Sequence, residues 1–388
     1  MRHSFGPLRQ SGPKVRTVFT ILAAVLLVGL GIGQAWRDTT PPSLWTEAPE
    51  RLAAGQRFEL FLSADEPVTY RIVYGAATVE AVEQQFTVAL IAQPGDTSIR
   101  ISAIDGAGNA SHVELRVEGV VVPQATIGVP DALKPGSAFT VTVRFEPDDA
   151  PAEVGSLSID GAPATVSSEG ALHYAIGAVP LVLGPGSARI ELSWSDGLGR
   201  AHTLIEPVAY AALDEEVEEL RIAASTLALV TPDGRELEAA ALDAAKADAN
   251  HPPRWTAPFI MPVPGHGTSA FASPRRYAPG GRVSFHEGED LAAPSGTPIL
   301  ATNDGVVLLS GSFPIKGGMT VIDHGSGVTS RYYHQSSTAV TAGQSVVRGE
   351  VIGAVGSTGL STGPHLHWEM RVGERPTDPL AWVGRVRP

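Results

Sequence analysis

The chain has 388 residues, 43% hydrophobic and 18% charged, which is enough apolar material for two or three packed domains at roughly 100 to 200 residues each and excludes wholesale disorder. Charge is unevenly placed: residues 1–16 carry +4, residues 17–250 carry −19 and residues 251–388 carry +2, so no basic stripe exists for nucleic acid and no nucleic-acid partner is expected. Cysteine is absent, which excludes disulfides and leaves any metal site to His, Asp and Glu.

Abundant glycine (42) and proline (31) with few aromatics predict a mainly β protein with short strands and many turns. Residues 1–16 read as a basic cytoplasmic tail. Residues 17–36 hold no charge, and a helix of about 20 residues spans the roughly 30 Å of a bilayer core. A single transmembrane anchor is expected there, with everything after it outside the cytoplasm by the placement of the basic residues. A cleaved signal peptide is the other reading, but the apolar run exceeds the usual length of about 7 to 15 residues.

Residues 38–120 alternate apolar and polar side chains, as in Arg57-Phe-Glu-Leu-Phe-Leu62 and Ser98-Ile-Arg-Ile-Ser-Ala-Ile104, punctuated by the turn Asp105-Gly-Ala-Gly-Asn109. The pattern recurs in residues 121–212: Gly55-Gln-Arg-Phe matches Gly136-Ser-Ala-Phe, and Asp105-Gly-Ala-Gly matches Asp196-Gly-Leu-Gly. Two such modules resemble bacterial immunoglobulin-like β-sandwiches, and spacers are their expected role. Residues 213–254 are acidic and rich in Ala, Glu and Leu. They read as two helical pieces broken at Pro232-Asp-Gly234, followed by a proline-rich boundary.

Seven of the 11 histidines fall in residues 251–388. His286 and Asp290 are four apart around Gly288, and Ala292-Ala-Pro294 follows, so the segment is extended with both side chains on one side. That disfavours a His-Glu-x-x-His helix with Glu287 as base. His365 and His367 alternate with Leu366 and Trp368 on a strand and share a face. Val328-Thr-Ser-Arg-Tyr-Tyr-His334 follows the turn Asp323-His-Gly-Ser-Gly327 as the return strand of a hairpin, which puts Tyr332 and His334 on one face. His324 is expected to pack in that turn, and His251 and His266 to lie in loops. Glu287, Glu289 and Glu369 read as solvated or supporting side chains.

The order His286-x-x-x-Asp290, Tyr332-x-His334, His365-x-His367, with Gly305-Val-Val, Val321-Ile-Asp-His-Gly and Gly363-Pro-His-Leu-His-Trp-Glu, resembles the lysostaphin/LytM-type zinc metalloendopeptidases from about Trp255 to Val383, within a C-terminal domain of residues 255–388. The sequence departs from that pattern at Phe271-Ala-Ser-Pro-Arg-Arg276 and at Glu289. The resemblance implies a C-terminal antiparallel β domain of the lysostaphin-like, duplicated hybrid type. It also implies a zinc ion held by His286, Asp290 and His367, with His334 and His365 as catalytic bases or transition-state stabilisers. Attack by water activated at zinc on peptide cross-links of peptidoglycan is the implied reaction, in an enzyme held on the bacterial inner (plasma) membrane with its catalytic domain in the periplasm or outside the cell. Other readings are a non-catalytic LytM-type activator of wall hydrolases and a surface adhesin working through its β modules.

Overall fold

The computed structural model describes residues 38–219, 230–246, 251–276 and 280–388. The expected membrane span at residues 17–36 lies outside them; among the described residues no helix is long and apolar enough to cross a membrane. The protein is mainly β, as its composition predicts. It divides into two compact units, one holding residues up to Pro123 with Asp149–Ala152 and Ser195–Arg200, the other Gln124–Asp148, Glu153–Trp194 and Ala201–Pro388.

In the first unit, β1 (Leu44–Glu47), β2 (Arg51–Ala53), β3 (Arg57–Tyr74), β4 (Ala77–Ile91), β5 (Gly95–Ile104) and β6 (Ala110–Val120) form one six-stranded sheet, ordered β1-β3-β5-β6-β2 with β4 on β3. Alternate residues of β3, from Phe58 through Leu60, Leu62, Tyr70 and Ile72, point into the core, as the period-2 pattern requires. Two separate sheets were expected here. Instead β3 is long enough to pair β1 with its first half and β5 with its second, and the irregularity between Ser63 and Val68, around Pro67, interrupts its ladder with β4.

Two separate ladders occur in the second module. Its strands are β7 (Gln124–Gly128), β8 (Ala138–Glu146), β9 (Ala152–Ile159), β10 (Ala162–Ala164), β11 (Ser167–Glu169), β12 (Leu172–Ala178), β13 (Gly186–Asp196) and β14 (Ala201–Tyr210), arranged as β10-β9-β13-β14 and β11-β12-β8-β7. The repeated turn is physically the same in both modules. Asp105 accepts the N–H groups of Ala107 and Asn109, and Asp196 those of Leu198 and Arg200, while Gly108 and Gly199 take the positive φ the turn needs.

The linker differs from its reading. β15 (Glu218–Glu219) pairs in parallel with β17 (Pro274–Arg276), and a single described helix, α1, runs over Pro232–Ala244. Pro232 opens this helix instead of breaking one, because a first-turn N–H has no helical partner to lose. Thr231 is the N-cap and accepts the Gly234 N–H at 3.0 Å. The other expected helical piece is extended where described, and the rest of it lies outside the described residues.

The C-terminal domain is built on an eight-stranded sheet ordered β16 (His266–Ser269), β19 (Glu289–Ala292), β27 (His365–Val372), β23 (Val328–Gln335), β22 (Gly317–Gly325), β21 (Gly305–Phe313) and β25 (Ser345–Val346), with β28 (Arg375–Thr377) beside β27. β18 (Ser284–Phe285) pairs β17, and β20 (Pro298–Leu300), β24 (Ser337–Thr338) and β26 (Val351–Ala354) make a small sheet. Leu366, Trp368 and Met370 face a core with Tyr332, Ile322, Phe259 and Trp382, which leaves the alternate residues of β27 on the opposite face. The second module and this domain, read from sequence as separate bodies, share a unit: Ile176 joins the same core, and Arg375 pairs with Asp160 at 2.9 Å.

His324 ends β22 fully buried, with Nδ1 2.6 Å from the Asp304 carbonyl and Nε2 2.8 Å from the Ser330 hydroxyl. Burial pushes its imidazole from 6.5 down to about 4. The folded state therefore holds it neutral, whereas the unfolded chain takes up a proton near pH 6.5. This site contributes about 3 kcal/mol that is fully present above pH 6.5 and is lost as the pH falls toward 4. Urea midpoints measured across that window should fall more steeply for the wild type than for His324→Gln; equal slopes would contradict the assignment.

Candidate metal centre

β19 and β27 are antiparallel neighbours in which Asp290 stands opposite His367 and Ala292 opposite His365. Directly paired residues share a face, so the ladder alone brings Asp290 to His367. His286 precedes β19 and is fixed by its backbone, its N–H bonding to the Ser273 carbonyl and its own carbonyl accepting the Ala272 N–H. Gly288 lets the segment lie against β27, since a Cβ there would sit 2.6 Å from the Trp368 carbonyl oxygen and 2.8 Å from His367 Nε2.

Three ligand atoms converge. His286 Nε2 is 3.1 Å from His367 Nδ1 and 3.2 Å from Asp290 Oδ1, and His367 Nδ1 is 2.8 Å from Asp290 Oδ1. The outer nitrogens decide the tautomers. His286 Nδ1 donates to the Ala270 carbonyl at 2.9 Å, and His367 Nε2 donates to Glu369 Oε1 at 3.2 Å. With those outer protons in place, each inner nitrogen turns a lone pair toward the carboxylate oxygen, so the three atoms need a cation among them, a shared proton or a metal ion. A tetrahedral ion with bonds of about 2.0–2.1 Å has ligand atoms about 3.3 Å apart, so this donor set fits a divalent metal such as zinc. The electrostatics agree: burial opposes ionisation of Asp290, but hydrogen bonds to His286 and His367 outweigh it and hold the carboxyl well below the usual carboxylate range. Burial likewise opposes charge on His367, yet Asp290 and Glu369 outweigh it and raise its pKa. The pocket is built to hold positive charge.

His365 and His334 flank this cluster with ring centroids 4.9 Å apart. His365 Nδ1 donates to the Gly363 carbonyl at 2.8 Å, leaving Nε2 3.8 Å from Asp290 Oδ1. His334 Nδ1 donates to the Thr358 carbonyl at 2.8 Å, and burial pushes its pKa down to about 3, so the ring is neutral at physiological pH. The expectation that Tyr332 shares its face is corrected. β23 slips against β22 between Tyr332 and Gln335, and His334 adopts φ 61°, a break in alternation that turns its imidazole back to the side of Tyr333. Tyr333 stacks on His367 at 5.4 Å, while Tyr332 lies in the core and accepts the Thr302 N–H. The residues open onto a cleft of about 380 Å³ that also includes Arg275, Ile315, Lys316 and Leu360.

Of the acidic residues read as solvated or supporting, two are buried. Glu289 accepts the Phe271 N–H at 3.0 Å, and Glu369, beneath His367, meets Arg371 Nη1 at 2.9 Å and Lys316 Nζ at 3.7 Å. Glu287, half exposed, pairs with Arg371 at 3.1 Å. Burial opposes the charge of Glu369, but Lys316 and Arg371 hold its carboxyl well below the usual range, so it stays an acceptor for His367. Sequence reasoning missed this network, although the period-2 rule that joined His365 to His367 also places Glu369 and Arg371 on that face. Lys316 sits in a hairpin turn and gave no signal. Glu369→Gln keeps an acceptor but removes its charge, and metal affinity measured by chelator competition should fall about 10- to 100-fold; unchanged affinity would show that His367 needs no such support.

His266 is exposed at the start of β16 and His251 lies beside Ser326, both away from the cluster. Among the described residues one other acidic group, Asp38, Glu66 and Asp105, has metal-like spacing, but Asp105 is already used by its turn.

Residues 284–379 match the model of peptidase family M23. Peptidoglycan DD-endopeptidase ShyA of Vibrio cholerae is 45% identical over 108 residues, 28% of this chain and 25% of that protein. DD-carboxypeptidase/endopeptidase Mpg of Neisseria meningitidis is 47% identical over 97 residues, 25% of this chain and 22% of that protein. An uncharacterized metalloprotease of Haemophilus influenzae is 39% identical over 114 residues, 29% of this chain and 24% of that protein. The chain thus matches about a quarter of the length of these curated relatives. A solved structure of a putative peptidase M23 from Pseudomonas aeruginosa is 28% identical, covering 65% of this chain and 94% of that one, with a TM-score of 0.46. The cluster of His286, Asp290 and His367 and the match over residues 284–379 coincide, and the chain carries a domain of peptidase family M23.

Proposed function

We propose that the protein is a zinc-dependent endopeptidase that hydrolyses peptide cross-links of bacterial peptidoglycan, at bonds between D-amino acids. The observation that carries the reading is the convergence of His286 Nε2, Asp290 Oδ1 and His367 Nδ1 within 3.2 Å at the floor of a cleft flanked by two further histidines. The similarity to a peptidoglycan DD-endopeptidase of Vibrio and a DD-carboxypeptidase/endopeptidase of Neisseria supports the substrate. Three protein donors suit a hydrolytic site, because a fourth would close the position that substrate and water need. When bound, zinc lowers the pKa of water toward neutrality and polarises the scissile carbonyl. His365 and His334, each with Nδ1 tied to a backbone carbonyl, present Nε2 to the cleft. There Nε2 orients the attacking water and accepts the proton it gives up, and the ring so protonated donates to the developing oxyanion and passes that proton to the leaving amine.

The rest of the chain is read around that site. Residues 17–36 anchor it in the bacterial inner membrane with the catalytic domain outside the cytoplasm, and the two β modules act as spacers toward the wall. The net +2 of residues 251–388 does not oppose contact with an anionic polymer. Mass spectrometry of defined cross-linked muropeptides incubated with the purified chain is expected to show dimers converted to monomers. Dimers left intact by the zinc-loaded protein would sink the proposal.

A further inference from the structure

Helix α1 lies outside the residues matched to the peptidase family, yet one of its side chains reaches the wall of the cleft. Glu238 is buried, and its Oε1 accepts the backbone N–H of Ile315 at 2.5 Å and of Lys316 at 2.8 Å. Both belong to the turn between β21 and β22, and both line the cleft. The same two residues hold the site through their carbonyls: that of Ile315 accepts the Leu360 N–H at 2.7 Å, and that of Lys316 accepts the His334 N–H at 2.9 Å. His334 sits at φ 61°, a backbone state that persists only where its surroundings enforce it. Lys316 in turn places its ammonium 4.4 Å above the Tyr333 ring and 3.7 Å from Glu369. Leu242, one turn along α1 from Glu238, packs beside Leu309 and Phe313 against the cluster of Met319, Val321 and Tyr333, so the helix is docked by apolar contact as well.

We infer that Glu238 is a positioning residue for this cleft: through the 314–316 turn, the linker helix sets the backbone of His334 and the wall formed by Ile315 and Lys316. A single carboxylate oxygen receiving two N–H groups makes charge-assisted bonds, about twice as strong as neutral ones, and without it both part-buried donors lose their partner. None of the three metal ligands lies on the turn, so the metal and the wall are separable. The inference rests on the peptidase reading for its catalytic consequence only.

In the full chain, Glu238→Ala should lower kcat on cross-linked muropeptides by about tenfold or more, with KM within about twofold and zinc bound with unchanged affinity. Glu238→Gln, which still offers an acceptor, should recover most of the loss. An unchanged kcat in Glu238→Ala, a fall in kcat that tracks lost zinc, or a glutamine variant no better than alanine would each overturn the inference. Hydrogen exchange gives a readout without catalysis. The amides of Ile315, Lys316 and His334 should exchange about fivefold faster in Glu238→Gln, while β27 amides keep their protection; equal rates at all sites overturn the inference even if the alanine variant fails to fold. A wild-type chain that binds zinc and cleaves nothing would end the functional proposal and leave the exchange experiment decisive for Glu238.

Discussion

His367→Ala is expected to cost the protein both its metal and its activity. The imidazole is held from two sides, with Nε2 on Glu369 and Nδ1 facing His286 and Asp290, so alanine removes a ligand and leaves the remaining two unable to complete a three-donor site. Residues that only support a ligand cost about 10- to 100-fold in metal affinity; loss of the ligand itself should exceed the upper end of that range, with muropeptide cleavage falling to background. Asp290→Ala should behave alike, since it removes the one anionic donor and leaves two neutral imidazoles. Metal content by mass spectrometry and cleavage assays check both variants, and a His367→Ala protein with full zinc and wild-type turnover would remove the basis of the account.

Substitution of the two flanking histidines should separate binding from chemistry. His365→Ala and His334→Asn are expected to keep zinc and to lower kcat by roughly 10²- to 10⁴-fold, the range for loss of a positioned acid or base. Asparagine is chosen at position 334 because the φ of 61° is a region it tolerates better than alanine does. The neutral state of His334 matters to this role: burial holds its pKa down to about 3, so across the physiological range its Nε2 carries a lone pair that can accept a hydrogen bond from the attacking water. Equal loss of zinc in these variants and in His367→Ala would show that all four histidines are ligands and that the division of roles is mistaken.

Much of the site was legible in the sequence because strands impose a simple geometry. Period 2 joined His365 to His367 and kept Leu366 and Trp368 for the core, and cross-strand pairing then delivered Asp290 to His367. The repeated aspartate turns were legible for the same local reason. What escaped was set by tertiary contact. A break in alternation at His334 moved it off the face of Tyr332, the length of β3 let one strand serve both neighbours, and Pro232 began a helix because Thr231 could cap it. Glu238 stands well before the nearest ligand in the chain, and no spacing rule connects a linker carboxylate to a turn that it meets only in the folded state.

Crystals of the zinc-loaded chain, measured on both sides of the zinc absorption edge, would locate the ion and its ligands. One anomalous peak is expected within about 2.0–2.2 Å of His286 Nε2, Asp290 Oδ1 and His367 Nδ1, with His334 and His365 beyond bonding distance. A peak bound by other side chains in a protein that cleaves muropeptides, or an active enzyme with no peak at these three atoms, would contradict it.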